Sequence, residues 1–116
     1  MADDGLVEWV AEALEPIGTV TYRAMMGGRT LYCDGTIFAI AVRGELWFKS
    51  DDVSDATWDA AGADRFIYSE KDGKPQTMNY RRAPSDVYDE ADAMRLWAEP
   101  AIAAGRRGKS KSKSKK

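Results

Sequence analysis

Pairs of residues that favour a reversed chain punctuate the middle of this sequence and limit what it can become. Asp34-Gly35 separates "TLYC" from "TIFAIAV", and Arg43-Gly44 separates that run from "ELWFKS". Aspartate before glycine suits a type I′ turn, in which both central residues take positive φ and the flanking runs pair antiparallel. Further on, "KDGKP" with Asp72-Gly73 lies between "RFIYSE" and "QTMNYRR" and marks a second hairpin. Upstream, "TVTYRAMM" shows the two-residue alternation of a half-buried strand and continues toward "TLYC". Within that long first strand, Gly27-Gly28 reads as a bulge or bend that lets it curl. The glycines of "MMGGRTLYCDG" fit neither GxxxxGK[ST] nor GxGxxG and open no helix, so a phosphate loop is not expected there.

Helical spacing appears on either side of the strands. Leu6, Val10, Leu14 and Ile17 recur at that spacing, with Asp3 or Asp4 as a cap and Pro16-Ile17-Gly18 as a stop. "SDATWDAAG" predicts a short helix opened by Ser54 and closed by Gly62. Met94, Trp97, Ala98, Ala101 and Ile102 form an apolar stripe for a last helix, with a shorter helical turn beginning at Ser85. Pro100 removes a hydrogen bond inside that stripe, at about 3 kcal/mol, so a kink or a restart is expected there. The order is α-β-β-β-α-β-β-α: an α+β, two-layer fold with an antiparallel five-stranded sheet covered by helices.

Charge divides the chain near residue 104. All nineteen acidic residues lie in 1–104 with ten Lys or Arg, a balance of −9, whereas the last twelve residues carry seven bases and no acid. "GRRGKSKSKSKK" has no apolar side chain to bury and cannot offset its own ordering entropy, so 105–116 is expected to be a disordered basic tail behind one domain, 1–104. Nothing approaches the roughly eighteen apolar residues of a membrane span, and "MADDG" is not the start of a secretory signal. The reading is a cytoplasmic protein.

Chemistry-bearing residues are sparse. With no histidine and a single cysteine, Cys33, the usual general base, the usual zinc ligand sets and any internal disulfide are excluded. "DDVSDATWD" lacks oxygen ligands at the alternate positions of a calcium loop, and Asp51-Asp52 beside a helix start reads as solvated or helix-capping rather than catalytic. No catalytic residue, metal site or cofactor is expected. Trp9, Trp97 and Trp47 read as packing residues, and Arg23, Arg81 and Arg82 as ion-pair partners of the body's acids.

"YRAMMGGRTLYCDGTIFAIAVRGELWFKS" followed by "MNYRRAPSDVYDEADAMRLWAEPAIAA" resembles the TfoX (Sxy) N-terminal domain family over residues 6 to 104. The family pattern meets this chain at Arg23, Met25, Gly27, Gly28, Leu31, Tyr32, Asp34, Gly35, Phe38, Ala39, Leu46, Lys49, Met78, Tyr80, Pro84, Trp97 and Ala98. It departs at Met26, where the family usually has phenylalanine, at Thr30, where glycine is common, and at Pro100. The resemblance implies a secretion-chaperone-like α+β domain, grouped with YgaC-like proteins, in which these signature positions are mainly structural. It also implies a link to regulators of competence for DNA uptake, which have a further C-terminal domain and work with the cyclic-AMP receptor protein.

The expected function is therefore a non-catalytic protein-interaction or regulatory module with an unidentified protein partner, and a homodimer through sheet or helix surfaces fits that reading. The alternative is sequence-independent nucleic-acid binding through Arg106, Arg107, Lys109, Lys111, Lys113, Lys115 and Lys116. Seven phosphate contacts would give a log–log salt slope of about −6.

Overall fold

In the computed structural model, the backbone is described for residues 2–25 and 28–114, and the side chains of all these except 2–4, 25, 68–71, 74–78 and 109–114. The chain runs α1 (Ala2–Ala13), β1 (Val20–Met25), β2 (Gly28–Cys33), β3 (Thr36–Val42), β4 (Glu45–Lys49), α2 (Asp55–Ala60), β5 (Arg65–Lys71), β6 (Lys74–Arg82), a 3-10 turn (Ser85–Tyr88) and α3 (Ala91–Ser114). The strands form one antiparallel sheet in the order β1-β2-β3-β4-β6-β5.

The sheet therefore has six strands, not five. What the sequence suggests as one long strand bent at Gly27-Gly28 is a hairpin, because Met25 pairs with Gly28 and the register runs on to Val20 opposite Cys33. The proposed bend at Gly27 itself lies outside the described residues. Gly28 is buried, and a Cβ there would collide with the carbonyl oxygen of Ala41 on the neighbouring strand. The three turns expected from the sequence all form, with Asp34, Arg43 and Asp72 at φ near +50° followed by glycines at positive φ.

The helices pack on one face of the sheet. Val10 of α1, Leu14 in the turn after it, Trp58 of α2, Val87 of the 3-10 turn and Met94, Ala98 and Ala101 of α3 meet Leu31, Phe38, Ala41, Leu46 and Phe48 in the main core. Trp58 stacks between Phe48 and Trp97, and the Trp9 indole N–H donates to the Val87 carbonyl at 2.7 Å. These tryptophans pack, as the sequence suggests. Side chains alternate in a strand, so Ile40, Trp47 and Tyr80 fall on the opposite face, where, among the described residues, Ile37, Val42 and Phe66 join them.

In the C-terminal region α3 continues past both Pro100 and Ala104. Of the kink or restart expected at Pro100, the restart does not occur, because α3 runs through the proline. Leu96, whose carbonyl loses its i+4 donor to the proline, is 67% exposed, so water can take the place of the missing N–H. The boundary drawn after Ala104 also falls inside α3. Gly105 is buried, and a Cβ on it would collide with the Ile37 carbonyl oxygen. The absence of apolar side chains does not keep residues 105–108 from packing, because here a bare backbone and an arginine make the contact. Among the described residues, no helix is long and apolar enough to cross a membrane.

Candidate functional site

The helix-free face of the sheet carries an unusual arrangement of rings and cations. Trp47, Lys49 and Glu45 point to this face from β4 because Leu46 and Phe48 point to the core. Register places Arg82 of β6 beside Trp47, and Tyr80 beside Lys49. The Arg82 guanidinium lies 4.6 Å from the Trp47 ring centre, the Lys49 ammonium 5.3 Å from Tyr80, and on β1 the Arg23 guanidinium 5.8 Å from Tyr32. Each pair combines cation–π attraction with cover for apolar ring surface. Trp47 and Tyr80 are thus buried although no helix lies over them. Burial pushes the Tyr80 hydroxyl up to about 12, with a smaller contribution from Tyr32, so the phenol stays neutral.

Where this face meets β5, a groove of about 440 Å³ opens between the β3–β4 turn and the start of β5. Trp47 and Phe66 form its floor, edge to face with ring centres 5.0 Å apart, and Val42 and Ile67 add aliphatic wall. Arg82 crosses it, held by Glu45 and, at 3.6 Å, by Asp64. Behind it a smaller hollow of about 290 Å³ is lined by Ala61, Gly62, Pro84 and Tyr88. The Tyr88 hydroxyl accepts the Leu46 N–H at 2.8 Å, fixing the turn that walls the hollow.

A second polar cluster lies on the helical face, where α2, β6 and the end of α3 converge. Arg81, 2% exposed, pairs with Asp59 at 2.8 Å and Asp55 at 3.3 Å and donates to the Ala63 carbonyl. Burial alone would raise the Asp55 pKa, but hydrogen bonds from Ser50 and Arg65, with the charges of Arg65 and Arg81, lower it on balance. Ser54 stands at the start of α2 as expected, yet its hydroxyl turns back to Asp51 instead of capping a helical N–H. Asp51 in turn receives Arg107. The hydrogen bond from Arg107 does most to hold the Asp51 carboxyl well below the usual carboxylate range, against burial and with help from Ser54.

The residues singled out from the sequence are thus distributed among different roles. Leu31 and Phe38 lie in the core, Trp97 packs against it, Gly35 sits in a turn and Pro84 precedes the 3-10 turn. Arg81 and Arg82 are ion-paired as expected, but Arg23 covers Tyr32 and has no carboxylate partner among the described residues. The side chain of Met25, and Gly27 altogether, lie outside what is described. Asp52 is exposed beside Asp51, and the Asp51 carboxylate both accepts the Ser54 backbone N–H at 3.0 Å, in the turn that leads into α2, and pairs with Arg107. Cys33 is buried, and burial, with Asp34 nearby, pushes its thiol pKa up against the pull of Arg106. Of the basic tail, Arg106 is exposed and Arg107 is engaged by Asp51. Lys109, Lys111 and Lys113 are in α3 by backbone, and Lys115 and Lys116 lie outside the described residues. Among the described residues no group of three or more carboxylates and thiols is placed to hold a metal. The groove was not visible in the sequence: Trp47, Phe66 and Arg82 belong to three strands, and only their pairing order brings them together.

Comparison with known proteins places this architecture. The model of the family described as the TfoX N-terminal domain matches residues 12–105, from the last turn of α1 to the buried glycine of α3. Protein Sxy of Escherichia coli (strain K12) is 30% identical over 77 residues, which cover 66% of this chain and 36% of that protein. The chain thus spans only about a third of the length of the curated relative it matches. With the match running across all six strands, α2 and the first part of α3, the chain belongs to the TfoX N-terminal domain family.

Proposed function

We propose that this chain is a non-catalytic regulatory module that works by binding a protein partner, in a role related to competence for DNA uptake. The observation that carries this reading is the helix-free sheet face, with its ring–cation pairs and apolar-floored groove. Cations covering rings keep such a face soluble while leaving an apolar surface that a partner can reach by displacing mobile side chains. Membership of the TfoX N-terminal domain family and likeness to Protein Sxy support the regulatory part. The test is deletion of the gene in its own host with transcript levels of the DNA-uptake genes as readout, together with crosslinking of the tagged full chain. A fall in those transcripts and one crosslinked partner are expected. Unchanged transcripts would remove the competence role, and absence of any specific crosslink would remove the interaction role.

A second reading, sequence-independent nucleic-acid binding, draws on the basic sequence at the end of α3. With Arg107 engaged by Asp51, six tail cations remain, and the salt slope on duplex DNA would be about −5. Anisotropy of labelled DNA with the full chain, and with its five tail lysines changed to glutamine, decides the matter. Equal affinities would sink this reading.

A further inference from the structure

We propose that the groove between the β3–β4 turn and β5 is a docking site for a short acidic peptide segment of a protein partner. One aliphatic or aromatic side chain of the segment sits on Trp47 and Phe66, and a neighbouring carboxylate is held by Arg43. The inference rests on the protein-interaction reading and specifies its surface.

Charge compensation selects the occupant. Two of the three arginines around the groove are already neutralised: Arg82 by Glu45 and Asp64, and Arg65 by Asp55 at 3.2 Å with a further bond to Asn79. Arg43 has no carboxylate partner among the described residues, although the body to residue 104 carries nine more acids than bases. An anion entering the groove therefore finds one uncommitted guanidinium, and Arg is suited to binding a carboxylate through two parallel bonds.

The backbone at Arg43 supports the same conclusion. Arg43 has φ +53° as the first central residue of its turn, where the other two turns of this kind use Asp34 and Asp72. Aspartate enters this left-handed region more readily than arginine, so an arginine here keeps a conformation that its side chain does not favour. A backbone outlier retained beside a groove points to a task for the side chain.

Geometry favours an extended peptide. β5 is the last strand of the sheet, so its outer edge has no strand neighbour, and Ile67 on it is 56% exposed. A strand added there hydrogen-bonds through its backbone to β5 while its alternate side chains lie beside Phe66 and Ile67, on the β5 side of the groove.

The experiment uses the full chain and a labelled heptapeptide, Asp-Leu-Asp-Phe-Asp-Leu-Asp, against a counterpart with lysine for aspartate. Anisotropy reports binding, and the Trp47 indole N–H cross-peak reports the place. The acidic peptide is expected to saturate and to shift that cross-peak, while the lysine peptide does neither. Arg43→Asp, which keeps a favoured turn pair, should weaken binding about tenfold or more, whereas Arg23→Asp at the far side of the same face should change it less than about twofold. Absence of saturation, equal binding of the lysine peptide, or equal losses from the two substitutions would each overturn the assignment. If the crosslinked partner is retained by the Arg43→Asp chain, the groove assignment falls while the interaction role stands; if no partner crosslinks to the unaltered chain, it is the interaction role that falls.

Discussion

Arg107 grips Asp51 through two bonds, Nε at 2.6 Å and Nη2 at 2.8 Å, across 56 positions of sequence. This pair fastens the C-terminal part of α3 to the loop before α2, so the start of the basic segment belongs to the folded body. Because the folded-state pKa of Asp51 is lowered, the pair's contribution is complete above the ordinary carboxylate range and is lost as the pH falls through the folded value. Both side chains are partly exposed, so solvent screening limits the contribution to about 1 kcal/mol. Asp51→Asn should therefore be less stable than the unaltered chain by about that amount near pH 7, with the gap narrowing below about pH 4. Urea unfolding at a series of pH values measures it, and a gap that stays constant into acid would contradict the ion-pair account.

Gly105 and Gly108 lie one turn apart on α3 and should respond oppositely to alanine. A Cβ at Gly105 collides with the Ile37 carbonyl, whereas one at Gly108 meets only the Lys49 side chain, at 3.9 Å. Gly105→Ala is expected to lose about 1–3 kcal/mol through overpacking against backbone. Gly108→Ala should gain up to about 1 kcal/mol from helix propensity. Thermal melts of the two variants check both signs, and a neutral Gly105→Ala would mean that α3 does not pack this closely on β3.

Trp58 is fully buried between Phe48 and Trp97, and its indole N–H has no hydrogen-bond partner among the described residues. Removal of the whole side chain should cost about 3–5 kcal/mol. Trp58→Phe keeps a ring in the stack and removes the orphaned donor, so its loss should stay below about 1.5 kcal/mol. Equal losses in denaturant titrations would show that the N–H is satisfied in solution.

Removing either side of the Arg81 cluster should have unequal effects. Arg81→Met leaves Asp59 exposed to water and Asp55 still bonded to Arg65 and Ser50, so no buried charge is stranded and the change should cost less than about 1 kcal/mol. Asp55→Ala leaves a buried guanidinium, whose Nε already lacks a partner, with only the exposed Asp59 as counter-ion. That variant should lose about 2–3 kcal/mol. The reverse order in unfolding free energy would show that Arg81 is hydrated.

Turn chemistry made much of the fold legible in advance. Asp34-Gly35, Arg43-Gly44 and Asp72-Gly73 each occupy the positive-φ positions expected of them, and the helices appear where the apolar spacing predicts. The hairpin between Val20 and Cys33 was missed because Gly27-Gly28 suggests a bend as readily as a turn. Two residues, Met26 and Gly27, separate the paired Met25 and Gly28, and a two-residue connection ending in glycine is itself a hairpin signal. A restart at Pro100 is not needed, since a helix with one exposed face tolerates a missing N–H where water can replace it.

What the sequence alone determined is local: turn positions, helix spans, the division of charge and the absence of histidine all depend on one residue or a short run. Tertiary structure decided which surfaces matter. Strand order leaves Trp47, Tyr80 and Phe66 on a face without helices, sets Arg82 across Trp47 and strips Arg43 of any counter-ion among the described residues. It also draws Gly105 and Arg107 into the body by contacts with Ile37 and Asp51. The physical reason is that a φ preference acts within a residue or two, whereas burial and charge pairing depend on which distant segments the packed sheet brings within a few ångströms.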